Sequence, residues 1–548
     1  MTISNSGLEY KPPAISDDRE DSESSMAMDQ LDLVRWRLSS SRTPGTLKWI
    51  YQSPDFENWR VKGSPATLWW TGSHGIGKST IAAYIVDLLE ELYPDSIVLY
   101  FFCRRWNHRL SRISDIIRGF LWQLARKIPS VQRLLDDLVE EEALQFLQMV
   151  LQTPSLRENE RLFVVIDGLD ESQSDTPLEL QDLIRMIQTL PDSRLLVTSK
   201  STVELSSILS SQTVRPIGTQ QQDTKLHLRK RIDQSSILAN AFRLTNRRNL
   251  MESVQQNANS FLSFSLTLSL GAQAVTAVDF ANIMSSSQDI YKVYNKCLYR
   301  ADRFGQLDYV KEMLIWLMGA ERQLSMNEIQ SAVEISTGHL FLDFNSIMNN
   351  YAGIFFQIHE DGPGRTIEVV HESIFDYVTC PLLGCDYIQI SPSEVPEYLG
   401  NICIRHLSTP SSTPIRKYIM ANWFRHIEQI NRNASDLWKR VKLLHRFLNT
   451  DALVNWVTEE FMQDRLDLEF IRRIATLLYG WITAASPPIS CELGDEVVKD
   501  WYLIMKKEGV EGIHTLIVKA VTKLCARDEG LADWNDILRA SEMMDSAQ

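Results

Sequence analysis

The run TGSHGIGKST, Thr71 to Thr80, constrains the fold of this chain more than any other stretch. It fits the pattern G-x-x-x-x-G-K-[ST] through Gly72, Gly77, Lys78 and Ser79. Glycines at this spacing let the backbone turn so that successive N–H groups face one anion. Such a loop is entered from a strand and left through a helix, whose positive end adds to the field at the anion. Both neighbours are legible. ATLWWTG precedes the loop as a short apolar run, and STIAAYIVDLLEELY follows with apolar residues at helical spacing. On this reading Lys78 reaches the β and γ phosphates of a nucleotide, the Ser79 hydroxyl holds Mg2+, and Thr80 adds a hydroxyl near the α phosphate.

The partner of the loop is RLFVVIDGLDES. A strand ending in an acid delivers a carboxylate beside the phosphates, which suits Asp167 to the Mg2+ shell. Asp170 and Glu171 follow at the same edge. Glu171 is the better placed to orient or deprotonate an attacking water, with Asp170 in support. RLLVTSKS ends a further strand there, so Thr198, Ser199 or Lys200 can contact the γ phosphate. SIVLYFFCR supplies another buried strand, and RISDIIRGFLWQLARKI and LELQDLIRMIQTL supply helices. Strands alternating with helices predict an α/β P-loop NTPase core, a parallel sheet with helices on both faces.

The rest of the chain divides by composition. Residues 1–30 are rich in Ser, Asp and Glu and are expected to be disordered. Residues 31–65 read as a lead-in helix and linker, and 66–215 as the nucleotide-binding domain. After about Pro216 the β signal nearly vanishes, and 216–305 reads as a helical domain. In 306–385, three helices precede a hairpin built from FFQI and IEVV around a Gly/Pro turn, the order of a winged-helix domain. LSMNEI opens the second of those helices. Residues 386–548 read as α-helical, with no 33-, 34- or 42-residue repeat.

Composition narrows the function classes. A net charge of −14 argues against a general nucleic-acid binder. The basic cluster Arg229 to Arg231 reads as a solvated helix face. Seven scattered cysteines without a CxxC pair fit reduced thiols in a cytoplasmic protein and offer no zinc site. The window Val254 to Val278 has no charged residue, but Ser, Thr, Gln and Asn dilute it. It is expected to form a buried helix and its connection, not a membrane span.

GSHGIGKST, the spacing to LFVVIDGLDES, and then RLLVTSKS resemble the NACHT domain of fungal STAND-type P-loop NTPases, the NLR-like signal-transduction proteins. The Asp-Gly-Leu-Asp-Glu run is the most specific single feature. TLKWIYQSPDFENW is similar to the Trp-bearing lead-in of that family, and VVHESIFDYV to its winged-helix part. The resemblance covers roughly residues 45 to 385, with a weaker echo to about 480. It implies that Gly72, Ser73, His74, Gly75, Ile76, Gly77, Lys78, Ser79 and Thr80 bind the phosphates of ATP or GTP. It implies Mg2+ on Ser79 and Asp167, and hydrolysis supported by Glu171 and Asp170. Lys200 stands where the family usually has an Arg as γ-phosphate sensor; Lys keeps the charge but loses the planar fork. His74 replaces a usual Pro, and Ser263 stands where a Trp is common. His371 falls where related switches offer a His to the β phosphate of a bound diphosphate.

The function expected is a switch set by its nucleotide, resting with diphosphate and active with triphosphate, with slow hydrolysis as its timer. The several helical segments after the core favour this over simple nucleotide consumption. The alternatives are a scaffold that has kept the fold without turnover, and an AAA-type remodelling ATPase, which would need an arginine finger after the sensor strand, where no arginine stands out beyond Arg215. A small-molecule kinase would need an arginine-bearing lid that is absent after Thr198. The resemblance also implies self-association on activation, a protein partner, and a role in innate recognition of non-self or programmed cell death.

Overall fold

The four apolar runs become strands β1 (Thr67–Thr71), β2 (Ile97–Phe102), β3 (Leu162–Asp167) and β4 (Ser193–Ser199). In this computed structural model the described residues are 23–456, apart from 62–66, 108–109, 129–130, 132–142, 154–160, 173–176, 191, 210–212, 217–219, 246–259, 286–288, 352, 361–363, 410, 431–438, 441, 444–445, 448–451 and 453–454. A fifth strand, β5 (Thr213–Pro216), lies beyond the expected set. It is four residues long and ends in proline, which an edge strand tolerates and a central one does not. All pairings are parallel, in the order β2-β3-β4-β1-β5. Every residue of β1 to β4 is buried. Since alternate side chains point to opposite faces, both faces of the sheet are covered.

The strand order places the chemistry. β4 lies between β1 and β3, with Thr71 level with Ser199 and Asp167 level with Thr198. The end of β4 therefore stands between the phosphate loop and the acidic motif.

The outer edge of β2 is closed by a side chain. Gln123, in the helix Ile113–Lys127, accepts from the Tyr100 backbone N–H at 3.0 Å and donates to the Tyr100 carbonyl at 2.8 Å. In a parallel sheet, a residue whose N–H and C=O point away from its neighbour strand has both unpaired at an edge. Gln123 answers both from a buried position.

The lead-in differs from expectation. Its helix spans Glu23–Ser41, so the end of the acidic segment expected to be disordered is helical; residues 1–22 lie outside the described residues. Tertiary contacts override composition here. Asp32 accepts from the Tyr100 hydroxyl at 2.7 Å and pairs with Arg126 at 2.5 Å. Arg35 pairs with Asp87 at 2.8 Å and with Glu90. Further on, Trp59 donates to the Leu195 carbonyl at 3.0 Å and packs on Phe163.

Residues 1–303, 345–377 and 382–387 make one compact unit, and 304–344, 378–381 and 388–548 a second. The first holds the sheet, the helices from Gln221 to Arg303 and the hairpin. Helix Phe261–Gly271 lies within the uncharged window and is buried, and among the described residues no helix is long and apolar enough to cross a membrane. Of the basic cluster, Arg229 is exposed, whereas Arg231 turns inward and donates to Ser269 at 2.9 Å. The hairpin strands β6 (Phe356–His359) and β7 (Thr366–Val369) are antiparallel, with Phe356 opposite Val369. Arg37 of the lead-in helix pairs with Glu368 and donates to Thr366 at 3.1 Å, which ties the hairpin down.

The second unit contains helices Leu307–Gly319, Met326–Thr337, Val395–Leu407 and Arg416–Glu428. The helix at Met326 starts with the capping box Ser325–Glu328, as LSMNEI foreshadows. A Cβ on Gly319 would lie 2.6 Å from both Val395 and Leu399, so the absence of a side chain sets that helix approach. The expected 306–385 segment has its elements in the anticipated chain order, helix, helix, helix and hairpin, shared between the two units. Residues 457–548 of the expected C-terminal helical region lie outside the described residues.

Replacing Gln123 by Leu should lower stability by about 2–4 kcal/mol, because two backbone groups lose their partners at once. The shift in unfolding midpoint between the native protein and Gln123→Leu checks this. A change under about 0.5 kcal/mol would mean that water already serves that edge.

Candidate functional site

β1 leads into the loop, and the Gly72 N–H donates to the Ser199 carbonyl at 3.1 Å. Gly75 and Gly77 then take φ of 69° and 98°, the left-handed region that a side chain resists. At Gly75 a Cβ would also stand 2.3 Å from the Cβ of Leu262. The Leu262 N–H donates to the Gly75 carbonyl at 2.9 Å, so a helix of the following region rests directly on the loop. Ile76 is buried and anchors the loop, while Ser73 is exposed. The helix Lys78–Leu92 starts immediately after Gly77, and Ser79 and Thr80 lie in its first turn. Lys78 Nζ donates to the carbonyls of Gly72 and Ser73, each at 3.0 Å. Burial pulls the Lys78 ammonium below its usual range, against the charges of Asp167, Asp170 and Glu171.

Asp167 is 1% exposed and fully engaged. The Thr198 hydroxyl donates to Oδ1 at 2.5 Å, and Arg104 Nη1 lies 3.3 Å from Oδ2. The chain then folds into a short turn, Leu169–Glu171, in which the Glu171 N–H donates to the Gly168 carbonyl at 2.7 Å. Asp170 Oδ1 accepts from the Lys200 backbone at 3.0 Å, and its Oδ2 lies 3.7 Å from Lys200 Nζ. Of the three candidates on β4, Thr198 serves Asp167. Ser199 accepts from the Trp69 indole at 2.8 Å and donates to the Lys200 carbonyl at 2.7 Å. Lys200 alone of the three offers a charge to the space above the loop.

His371 follows the hairpin by two residues and lies beside the loop, its ring 6.1 Å from that of His74 and edge-on to it. Its Nδ1 accepts from the Ser373 N–H at 3.1 Å and contacts Ser373 Oγ at 2.9 Å. The Tyr294 hydroxyl holds Ser373 in turn, at 3.0 Å. An Nδ1 that accepts leaves the proton of the neutral ring on Nε2. Burial, then the nearby His74, Lys78, Arg104 and Lys200, push the His371 imidazole down to about 3. Burial and Lys200 push His74 down to about 4. Both rings are neutral at physiological pH.

Four more charged residues complete the site, and the sequence reading missed them. Arg104 and Arg105 follow β2 after Cys103. Glu372 and Asp376 follow His371. Arg104 Nε lies 4.0 Å from Glu372, Arg105 lies 3.9 Å from Asp376, and His74 lies 3.8 Å from Asp376. Arg105 also donates to the Asp170 carbonyl at 3.2 Å. Glu171 and Glu372 bear on each other electrostatically, the charge of Glu171 opposing ionisation of Glu372. Burial, then the charge of Glu171, holds Glu372 well above the usual carboxylate range. A signal for the arginines was present: FFCRR ends a strand at the same sheet edge as Asp167.

The donor set fits Mg2+ held with a nucleotide. Mg2+ beside phosphates needs one carboxylate and one hydroxyl from the protein, the rest being phosphate oxygens and water. Asp167 and Ser79 are the residues that would supply these. Among the described residues no group of three or more His, Cys, Asp or Glu side chains forms a separate metal cage. When bound, Mg2+ neutralises charge on the β and γ phosphates.

The depressed histidines set a pH dependence. An unfolded His titrates near 6.5, whereas His371 titrates near 3 and His74 near 4 in the fold. Between these values the unfolded chain binds more protons, so stability falls as pH drops below about 6.5. Each ring should cost about 2 kcal/mol between pH 6.5 and 5. His371→Asn, which keeps an acceptor for the Ser373 N–H, should flatten the fall in melting temperature over that range. Equal slopes for the two proteins would place His371 in water.

Residues 45–200 match the family described as Nephrocystin 3, N-terminal. The vegetative incompatibility protein HET-E-1 of Podospora anserina is 22% identical over 363 residues, which are 60% of this chain and 26% of that protein. The chain thus spans about a quarter of the length of this relative. Among solved structures, ORC1 of Aeropyrum pernix in complex with DNA is 14% identical, with a TM-score of 0.32, over 62% of this chain and 94% of that one. Cdc6p of Pyrobaculum aerophilum is 12% identical, with a TM-score of 0.27, over 63% of this chain and 95% of that one. The family match covers the phosphate loop and the Asp-Gly-Leu-Asp-Glu motif, and together with the fungal relative it supports the resemblance to NACHT-type P-loop NTPases.

Proposed function

We propose that this NTPase is a switch set by its nucleotide, held in its resting form by diphosphate and released by triphosphate, with slow hydrolysis as the timer. One observation carries the reading. The segment His371 to Asp376, about 300 residues after the loop in sequence, lies against both the phosphate loop and the acidic motif. A phosphate-binding site built in part from a distant segment ties the placement of that segment to the ligand. The neutral His371 ring, with its proton on Nε2, is a donor suited to a β-phosphate oxygen. Lys78 and Lys200 supply the charges for the β and γ phosphates.

In the hydrolysis step, water oxygen bonds to the γ phosphorus as the bond to the bridging oxygen breaks, and the water proton passes to Glu171. Lys200 in place of the fork of an arginine supports a slow rate. ATP and GTP both fit the reading. Cys103, Cys297, Cys380 and Cys403 form no disulfide among the described residues, and reduced thiols are in keeping with a cytoplasmic setting. The relative named as a vegetative incompatibility protein supports a place in a response of that kind. Self-association and a protein partner belong to the same proposal.

The purified protein should release a nucleoside diphosphate, near one per chain, on denaturation and chromatography. Lys78→Ala should carry none, and Glu171→Gln should carry triphosphate. A protein that retains no nucleotide and takes up neither ATP nor GTP would be a scaffold on an NTPase fold, and the switch would fall.

A further inference from the structure

The lead-in helix is gripped from two sides. On one, Asp32 accepts from the Tyr100 hydroxyl at 2.7 Å, Arg35 pairs with Asp87 at 2.8 Å, and Ser39 donates to Asp87 at 2.7 Å. These three residues share a helix face at three- and four-residue spacing. Their partners belong to β2 and to the helix that leaves the phosphate loop. Arg37, two residues from both Arg35 and Ser39, stands on the opposite face. Its side chain is 8% exposed, pairs with Glu368, and donates to Thr366 at 3.1 Å. Thr366 and Glu368 are two apart on β7, so both point to one face of the hairpin, and the guanidinium fork spans them. His359, level with Thr366 on β6, lies 3.3 Å from Glu368 on that face.

The hairpin is tightly coupled to the segment that follows it. His371 comes two residues after β7, and the residue between, Val370, donates its N–H to the Phe355 carbonyl at 2.9 Å. The pairing of the hairpin therefore runs up to the segment His371 to Asp376, which lies against the phosphate loop. A displacement of that segment pulls on β7 and so on Arg37, whose helix is fastened to the nucleotide core. We propose that Arg37 is a latch between the lead-in helix and the hairpin, closed in the resting form and opened when triphosphate displaces the segment His371 to Asp376. This inference rests on the reading of the chain as a switch set by its nucleotide. Contacts made in one state alone bias the equilibrium by their own free energy. The latch thus favours diphosphate. Its opening frees one face of the lead-in helix, which makes that helix a reporter of the nucleotide state.

The test is calorimetric binding to the full chain, stripped of resident nucleotide and with Mg2+ present. The probes are ADP, GDP and the non-hydrolysable β,γ-imido analogues of ATP and GTP. Arg37→Ala should shift the ratio of the two affinities about tenfold toward the triphosphate analogue, the order of one hydrogen bond between charged groups. Glu368→Gln should shift it the same way, and the double variant should go no further than Arg37→Ala, because both changes open one contact. The Glu368 side chain is 40% exposed, so its variant carries the comparison if Arg37→Ala does not fold. Hydrogen exchange in residues 366–369 should rise in the native protein when the triphosphate analogue replaces diphosphate. In Arg37→Ala it should already be raised with diphosphate. An unchanged affinity ratio in folded Arg37→Ala and Glu368→Gln overturns the latch and leaves a clip that only holds the hairpin down. An additive double variant overturns it too, as does equal exchange in residues 366–369 with either nucleotide. Failure of the switch itself is separate: exchange in residues 371–376 of the native protein would then be the same with either nucleotide.

Discussion

Arg104 brings a full charge into a largely enclosed site, and a charge so placed must be compensated where it sits. Its side chain is 20% exposed and lies between Asp167, at the end of β3, and Glu372, after the hairpin. Much of the site follows from that demand. Asp167 is turned toward the guanidinium and braced by Thr198 from the neighbouring strand. Glu372 is drawn to the same point, where the charge of Glu171 bears on it. Burial pushes Glu171 above the usual carboxylate range in opposition to Arg104. Five acids, Asp167, Asp170, Glu171, Glu372 and Asp376, face four permanent cations, Lys78, Arg104, Arg105 and Lys200. The site is close to balanced before any ligand arrives. In the proposed switch a third phosphate adds negative charge near Asp376, and like charges at close range favour separation.

The parts of the site that sit within one element and its loop were legible in the sequence. TGSHGIGKST announces a strand, a turn with positive φ and a helix, and each is found. LFVVID is long and apolar enough to read as a buried strand with an acid at its end. The hairpin was legible from its two short β-branched runs around Gly and Pro. Strand β5 was not, because TVRP carries no alternation and ends in a residue that strands usually exclude. The helix from Glu23 was hidden by composition, since its order depends on Tyr100, Asp87 and Arg126, far along the chain. The meeting of Arg104 with Glu372 was hidden for the same reason. It is a contact between segments about 270 residues apart, and no local pattern reports it.

The contacts around the loop also show how its state can be felt elsewhere in the first unit. The Gly75 carbonyl is held by the Leu262 N–H, and Gly75 has no room for a side chain beside Leu262. A change in the loop backbone therefore reaches the helix Phe261–Gly271 without an intermediary. Tyr294 in the helix Ile290–Arg303 holds Ser373, which holds His371. Reversing a two-state equilibrium from 1:99 to 99:1 takes a ligand preference of about 5.5 kcal/mol. A handful of charged contacts, exchanged together, is of that order.

Gln123 has a consequence beyond the stability of one edge. An uncovered parallel strand offers its free N–H and C=O groups to any extended chain, and proteins that gather into assemblies are the ones most exposed to that hazard. By occupying the outward backbone groups of Tyr100, the amide removes the template at the middle of β2. An extended chain that approaches that margin therefore finds the backbone groups of Tyr100 already taken.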